Sequence, residues 1–514
     1  MTGKMKTRNP KNLSRRKFIG TVGTATAAFT IVPRHVLARS GQKAPSDLIN
    51  VAGIGFGSQG ASDLSNILDP EVQVSPPPRT RTGQPLSKAE IARREAERAA
   101  RMAQRQQQQG SRGGQPQNRR QAAPQQQREP RKLANIYALC DVDSEYAGYV
   151  FARYPRAKAY SDWREMLEKE PSIDAVLIAT SDVNHAPIAA AFMREKKHVF
   201  VEKPMAKTVF ECRKLAELAK EYDVVTQMGN QGHASEGTRR VVEWVRAGVI
   251  GNVREVNMWT DRPMGYWPQG DIQRPAGVKV PKHLNFEVWL GPAPEKPYNP
   301  ETTHFVWRGL WDYGTGAMGD MGAHIYDAPL WALNLDHPTR IQATSTPYNS
   351  EYLPLAQTVT YDFAERYTPG IGYMPPVKVT WCDGGLLPAR PDNLEDGRRV
   401  GTIFHGDKGV IMGGNGAMPT LVPADPDFKG PDPWLERTGD IYEDWIDSIM
   451  KGKKSSNDFS WAAKVTEIML LTNIAILTQR FNTTLEYDAK NMKITNLPEA
   501  NNYFHYEYRK GWTL

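Results

Sequence analysis

Apolar and polar positions alternate along this chain in two rhythms, and the change between them falls near residue 229. Before it, apolar runs of strand length stand apart at 48–54, 135–141, 175–179, 198–202 and 224–228. Helical periodicity fills the intervals, with helices predicted around 144–153, 161–169 and 185–194. A further helix opens at Thr208, where Glu211 three positions on completes a capping box. Short apolar strands separated by helices mean a parallel sheet covered on both faces, because each crossover returns the chain to the same end of the sheet. After residue 229 the simple alternation is lost. Runs at 253–260, 357–363, 377–382, 400–405 and 410–413 alternate or cluster as strands, which predicts a large, mainly antiparallel open sheet. The fold class expected is α/β, a doubly wound parallel sheet followed by a C-terminal α+β domain.

Two segments stand outside this pattern. At the start, Ser14-Arg15-Arg16-Lys17-Phe18-Ile19 precedes a mild Thr/Ala-rich apolar stretch, and Val36-Leu37-Ala38 offers small residues for cleavage. The segment 1–38 resembles a twin-arginine export signal and is set apart from the fold, which predicts a periplasmic or envelope protein. Its apolar run is well under the roughly 18 residues a spanning helix needs, and no other stretch is expected to span a membrane. The second segment is an insertion at about 71–132, rich in Gln, Arg and Ala, including Gln106-Gln107-Gln108-Gln109. With almost no aromatic or β-branched residues it has too little apolar surface to offset ordering, so it is expected to be solvated and disordered, with 89–108 compatible with a basic helix. The domains expected are 1–38, then 46–228 with the insertion, then 229–514.

Charge must be divided along these lines. Of the net +8, the leader holds eight Lys/Arg and no acid, and 79–132 holds fourteen against four, which leaves the rest at about −10. The globular body is acidic, so the overall positive balance does not point to nucleic acid. Cys140, Cys212 and Cys382 lack metal-ligand or disulfide spacing and read as core residues, and no metal site is expected.

Chemistry enters at Gly55-Phe56-Gly57-Ser58-Gln59-Gly60, a GxGxxG turn directly after the first apolar strand. Such a turn brings backbone close to a pyrophosphate, whose charge then rests on the N-terminus of the following helix. Gly55 serves the tight turn, Gly57 the close approach and Gly60 the helix-to-strand packing. With the insertion removed, Asp141 falls about 20 residues after the glycines, where a carboxylate accepts from the adenosine ribose and repels a 2′-phosphate. NAD is therefore expected rather than NADP, with Asp143 as the alternative partner.

The chain resembles the glucose–fructose oxidoreductase / inositol dehydrogenase (Gfo/Idh/MocA) family. The resemblance rests on GFGSQG, Asp141, His185 in SDVNHAPIAAA, KKHVFVEKPMA and Gly319-Asp320-Met321-Gly322-Ala323-His324. WLGPAPEKPYNP, WRGLWDYGTGAMGD and TNLPEANNYFHYEYRKGW resemble its exported branch. Ser181-Asp182, where many members have proline, and the insertion are the departures. The resemblance implies an N-terminal Rossmann domain and His324 as proton acceptor, with Asp320 one helical turn away on the same face turned toward it or toward substrate hydroxyls. It implies Lys203 as the cation that polarises the substrate oxygen, at the carboxyl edge of the sheet. Glu202 is expected to hold the cofactor or Lys203 and Pro204 to fix the turn, and His185 is expected either to contact the nicotinamide ribose or to be a buried helix-capping histidine. Thr180, Ser181, Asn230 and Gln231 complete the expected cofactor contacts.

In the second half, Arg262, Trp267, Trp307 and Arg308 bring aromatics and bidentate donors together, which suits sugar rings, and His233 is a further pocket candidate. Members usually pair through the open sheet, so a homo-oligomer, dimer or tetramer, is expected. The leading expectation is an exported NAD-dependent oxidoreductase of a sugar, glycoside or cyclitol hydroxyl. Export of a folded chain would carry its cofactor along, so tight retention is expected. The alternatives are a nicotinamide-dependent glycosidase, whose exported relatives tend to lose the Lys-Pro pair kept here, and a non-catalytic sugar-binding protein.

Overall fold

The computed structural model describes residues 48–68, 74, 77–80, 85–94, 96, 100, 132–368, 371–391 and 399–514. The expected export signal and most of the insertion lie outside these residues.

The first sheet has six strands, all parallel, in the order β3-β2-β1-β4-β5-β6. In chain order they are β1 (Asn50–Ile54), β2 (Asn135–Cys140), β3 (Lys158–Tyr160), β4 (Ala175–Ile178), β5 (His198–Glu202) and β6 (Thr226–Gly229). β4 is buried at every position, as a strand covered on both faces must be. The one strand the apolar pattern did not announce is β3, a three-residue edge strand whose side chains stay largely in water. The order of the strands reverses at β1, flanked by β2 and β4, and there the crossovers diverge and leave a crevice at the carboxyl ends. The capping box forms as predicted, with Thr208 accepting from Glu211 N at 3.2 Å and Glu211 accepting from Thr208 N at 2.8 Å.

Among the described residues the second sheet has nine strands in the order β15-β14-β13-β7-β12-β9-β8-β16-β17, with β15 at Ala417–Leu421, β16 at Leu485–Asp488 and β17 at Lys493–Ile494, while β10 (Arg366–Thr368) and β11 (Gly372–Met374) pair apart as a two-stranded ribbon. β7 (Val253–Thr260), β9 (Gln357–Phe363) and β12 (Val377–Cys382) occupy the predicted residues, and β7 pairs with β12 in the one parallel ladder. β13 (Val400–Gly406) and β14 (Gly409–Gly414) extend beyond β7, and β8 (Arg340–Ser345) lies beside β9. Strict alternation along β9 turns Tyr361 and Phe363 inward, onto the helices Gly316–Ala332 and Phe459–Thr478.

Against the expectation that no stretch beyond the leader qualifies, Phe459–Phe481, which includes the helix Phe459–Thr478, is long and apolar enough to cross a membrane. Its apolar surface goes to the core: it packs on Gly316–Ala332 and on Val209–Glu221, and so joins the parallel sheet's outer helix to the second sheet. A second link runs backward along the chain. Helix Ile441–Lys451, from the far half of the sequence, places Ile441, Tyr442, Trp445 and Ile446 against Val51, Leu177 and Phe200 on one face of the first sheet. All three cysteines are buried and unbonded.

Candidate active site

The carboxyl ends of β1, β2, β4 and β5 open into a cleft of about 640 Å³ that runs from the glycine turn to the helix Gly316–Ala332. At the turn, Gly55 has φ +76°, and a Cβ there would stand 2.9 Å from Ala179 O. A Cβ on Gly60 would meet Gly55 O at 2.2 Å, so the helix Gln59–Leu68 begins directly against the turn. This cradle fits a dinucleotide: Gly57, Ser58 and Gln59 line the cleft at the start of a helix, where N–H groups favour a pyrophosphate. Phe56 and Gly60 sit behind the surface, in support of it.

Asp141 and Asp143 stand next to the turn, and their hydrogen bonds tell them apart. Asp143 Oδ1 already accepts from Glu145 N at 3.1 Å, Tyr146 N at 2.8 Å and His283 Nδ1 at 2.9 Å. Asp141 accepts one bond per oxygen, from Phe56 N at 2.9 Å and from Asp143 N at 3.0 Å, and keeps lone pairs for a ribose. Burial pushes its carboxyl up to about 6 against these two bonds.

At the other end, Lys203 leaves β5 through a cis Lys203-Pro204 bond. Its Nζ donates to Asp320 O at 2.8 Å and to Asp320 Oδ1 at 3.2 Å. Arg308 Nε donates to the same Oδ1 at 3.3 Å, and Arg262 Nη1 to Oδ2 at 3.1 Å. Burial would raise the Asp320 carboxyl, but Lys203, Arg308 and Arg262 hold it well below the usual range. Asp320 therefore orders three cations; it is not hydrogen-bonded to His324, although the two share a helical face.

His324 is oriented by a different residue. Its Nδ1 lies 2.9 Å from Asn230 Oδ1, and the Asn230 amide donates in turn to Ala323 O at 2.9 Å. With the amide nitrogen committed to a carbonyl, the oxygen must face the ring, so Nδ1 carries the proton and Nε2 is the bare acceptor. Among the described residues no hydrogen bond claims Nε2, and His324 lines the cleft. Burial, then the Lys203 charge, lowers the imidazole to about 3, which keeps it neutral at ordinary pH.

Residues 113–230 match the family model described as the NAD-binding Rossmann fold of the Gfo/Idh/MocA oxidoreductases, and 244–368 match its C-terminal alpha/beta domain. The chain belongs to the Gfo/Idh/MocA family. The glycine turn lies upstream of the first matched span, which begins inside the insertion. Among relatives, a Myo-inositol 2-dehydrogenase of Thermotoga maritima is 31% identical over 118 residues, covering 23% of this chain and 35% of that protein. A glycosyl hydrolase family 109 protein of a Shewanella species is 32% identical over 127 residues, 23% of this chain and 28% of the relative. The chain thus spans about a third of the length of these curated relatives. In fold, the WlbA dehydrogenase of Bordetella pertussis, solved with NADH and UDP-GlcNAcA, aligns at a TM-score of 0.53 with 15% identity, over 86% of this chain and 99% of that one.

Seen within this Gfo/Idh/MocA site, several expected residues have other places. His233 is buried away from the cleft, paired with Asp327 at 2.9 Å and stacked 4.9 Å from Trp331, so it is a core histidine. Trp267 is buried behind Phe305, its Nε1 donating to Gln269 at 2.8 Å, while Trp307 and Phe305 reach the wall. Asn230 positions His324 and does not line the cleft. His185 lines it, but its nitrogens face Pro204 O at 2.8 Å and Thr180 O at 3.3 Å. Burial lowers the ring to about 4, so it is neutral with a single N–H: given to Pro204 O in the shorter contact, that proton braces the Lys203 turn and leaves Nε2 as an acceptor for a ribose hydroxyl. Thr180, Ser181, Gln231 and Glu202 do line the cleft, with Glu202 accepting from Lys203 N at 3.2 Å and Gln231 Nε2 at 3.1 Å.

Tyr146 and His304 line the cleft with no signal in the sequence, and Asp182 was marked there only as a departure from proline. Tyr146 lies so close to Gly57 that a Cβ there would come 2.1 Å from its ring. It stacks 4.2 Å from His304 and bears the Arg79 guanidinium 4.3 Å from its centre, so one residue of the insertion, Arg79, rests on the cofactor end. Asp182, at the departure from the usual proline, is buried, pushed up to about 6 by burial, and accepts from Thr315 Oγ1 at 2.5 Å.

Proposed function

We infer that this chain is an exported NAD-dependent oxidoreductase that moves a hydride between a hydroxyl-bearing carbon of a sugar, glycoside or cyclitol and NAD held in the cleft. The observation that carries the reading is His324 with Nε2 bare beside Lys203, at the end of a cleft that begins at a dinucleotide-type glycine turn. NAD, bound along Gly57, Ser58, Gln59 and Asp141, supplies the hydride acceptor or donor. The chain's own residues handle the proton and the charge. His324 Nε2 takes the hydroxyl proton in oxidation and returns it in reduction, with Nδ1 anchored to Asn230 throughout. The Lys203 ammonium, fixed by Asp320, stabilises negative charge developing on the substrate oxygen.

The test is single-turnover reduction of bound cofactor. His324→Ala and Lys203→Met are each expected to lose on the order of 10²-fold in hydride transfer, with NAD(H) still released from the denatured variants. Near-normal transfer in His324→Ala would remove the histidine from the proton's path. The resemblance of Ser14 to Ile19 to an export signal supports a location outside the cytoplasm, checked by fractionation, and the cofactor is expected to co-purify as NAD rather than NADP. The half-exposed outer face of β9 and β12 supports assembly with further copies, checked by solution mass.

The glycosyl hydrolase relative favours a second reading, in which oxidation is transient and the net reaction is glycoside cleavage. Release of the aglycone without accumulation of reduced cofactor would establish it.

A further inference from the structure

The substrate end of the cleft holds more positive charge than its own carboxylates balance. Lys203, Arg262 and Arg308 converge on Asp320, with side-chain exposures of only 15%, 23% and 18%. Of the other carboxylates lining the cleft there, burial pushes Glu202 well above the usual range, so even with Asp182 ionised three cations meet two anions. Cations drawn partly out of water in this way are costly unless an anion completes the group. The cofactor's pyrophosphate belongs at the glycine turn on β1, and β5, which carries Lys203, lies two strands away, roughly 10 Å at the usual strand spacing.

The two guanidiniums are also held ready. Arg262 lies 3.5 Å from the Tyr266 ring centre, and Arg308 lies 4.4 Å from that of Trp307. Each spends part of its donor set on the protein: Arg262 gives Nη1 to Asp320, and Arg308 gives Nε to Asp320 and Nη1 to Phe305 O at 2.9 Å. Among the described residues, Nη2 of both and Nε of Arg262 have no hydrogen bond. Stacked, tethered guanidiniums with unspent N–H groups at a cavity wall are the arrangement that grips an oxyanion.

We propose that the substrate of this site is an anionic sugar, whose acidic group is bound by Arg262 and Arg308 while the hydroxyl to be oxidised lies at His324. The inference rests on the oxidoreductase reading and narrows it. Burial first, then Lys203 and Arg262, lower His324; a bound anion opposes the two charges, so the charge that selects the substrate strengthens the base.

The experiment compares a hexuronate with its uronamide, the parent hexose, and the matching sugar sulfate and sugar phosphate, on NAD-loaded protein. It reads calorimetric binding together with kcat and KM. The charged sugars are expected to exceed the uronamide by on the order of 10²-fold in kcat/KM, mostly through KM. The preferred member tells carboxylate from sulfate or phosphate. Arg262→Met and Arg308→Met are expected to collapse that ratio by raising KM for the charged sugar. Arg262→Lys, which keeps the charge but not the fork, is expected to retain a preference at weaker binding. Equal or better turnover of the hexose and uronamide, with a ratio unchanged by Arg262→Met, would overturn the anionic class and leave the oxidoreductase standing. A denatured protein that releases no NAD(H), with no reduction on any sugar, would sink the oxidoreductase reading, whereas calorimetric preference for the charged sugars would still support the oxyanion grip.

Discussion

His324 shows what a residue pattern can and cannot carry. Its spacing from Asp320 is visible in the sequence and places both on one helical face, yet the two do not bond; each is claimed by partners from distant elements. Asn230, 94 positions away, sets the ring's tautomer, and no local pattern announces a contact of that range. Asn230→Ala is expected to let Nδ1 lose its acceptor, lowering kcat on the order of 10-fold or more while NAD(H) stays bound; unchanged kcat would release Asn230 from that role. The charge of Lys203 adds a signature in pH. Because burial and then Lys203 hold His324 down to about 3, the free enzyme's acid limb lies well below the reference value near 6.5. Removing the ammonium lets the ring protonate at higher pH, so the residual kcat/KM of Lys203→Met is expected to fall off earlier on acidification. A limb that stays in place would show that Lys203 does not act on the ring. His233, by contrast, looked like a pocket residue from its neighbours in sequence, and only the packing of Trp331 and Asp327 around it shows otherwise.

At the scale of elements, the strands that line the core were readable because burial on one face or both leaves a pattern in the residues themselves. β5, β7, β9 and β12 lie where apolar runs or alternation place them. β3 left no such mark, being an edge strand with little to bury. The helix Asp182–Arg194 begins three residues earlier than its periodicity suggests, with no side-chain cap from Ser181, because the turn that carries Asp182 is fixed by Thr315 from the other half of the chain. The glycine turn gives the element-scale prediction. Gly60→Ala would drive a methyl into Gly55 O, a backbone atom that cannot step aside, and is expected to cost about 1–3 kcal/mol and to strip NAD(H) from the purified protein. A variant with wild-type melting temperature and full cofactor content would contradict that packing.

Across the whole molecule, the two sheets are joined by a charged knot as well as by apolar contact. Arg213 of the first half donates to Glu467 Oε2 at 2.8 Å and Oε1 at 2.6 Å, and Tyr487 and His337 reach the same carboxylate at 2.5 and 3.1 Å. Burial works against charge on His337, but its bonds to Asp336 and Glu467 prevail and push it up to about 9. A histidine raised in the folded state contributes stability that is complete below its unfolded value near 6.5 and is lost as pH climbs through 9. The melting temperature is therefore expected to decline between pH 6.5 and 9, and His337→Gln is expected to flatten that decline; an equal slope in the variant would place the loss elsewhere.

The helix Ile441–Lys451 has a consequence for how the chain is made. It covers Val51, Leu177 and Phe200, so the sheet encoded first stays uncovered on that side until residues encoded far downstream of it have left the ribosome. A nascent chain stopped short of position 441 would expose the back of its nucleotide-binding layer and invite aggregation. If the chain is exported folded, as proposed, the docking of Ile441–Lys451 on the first sheet has to precede its passage across the membrane.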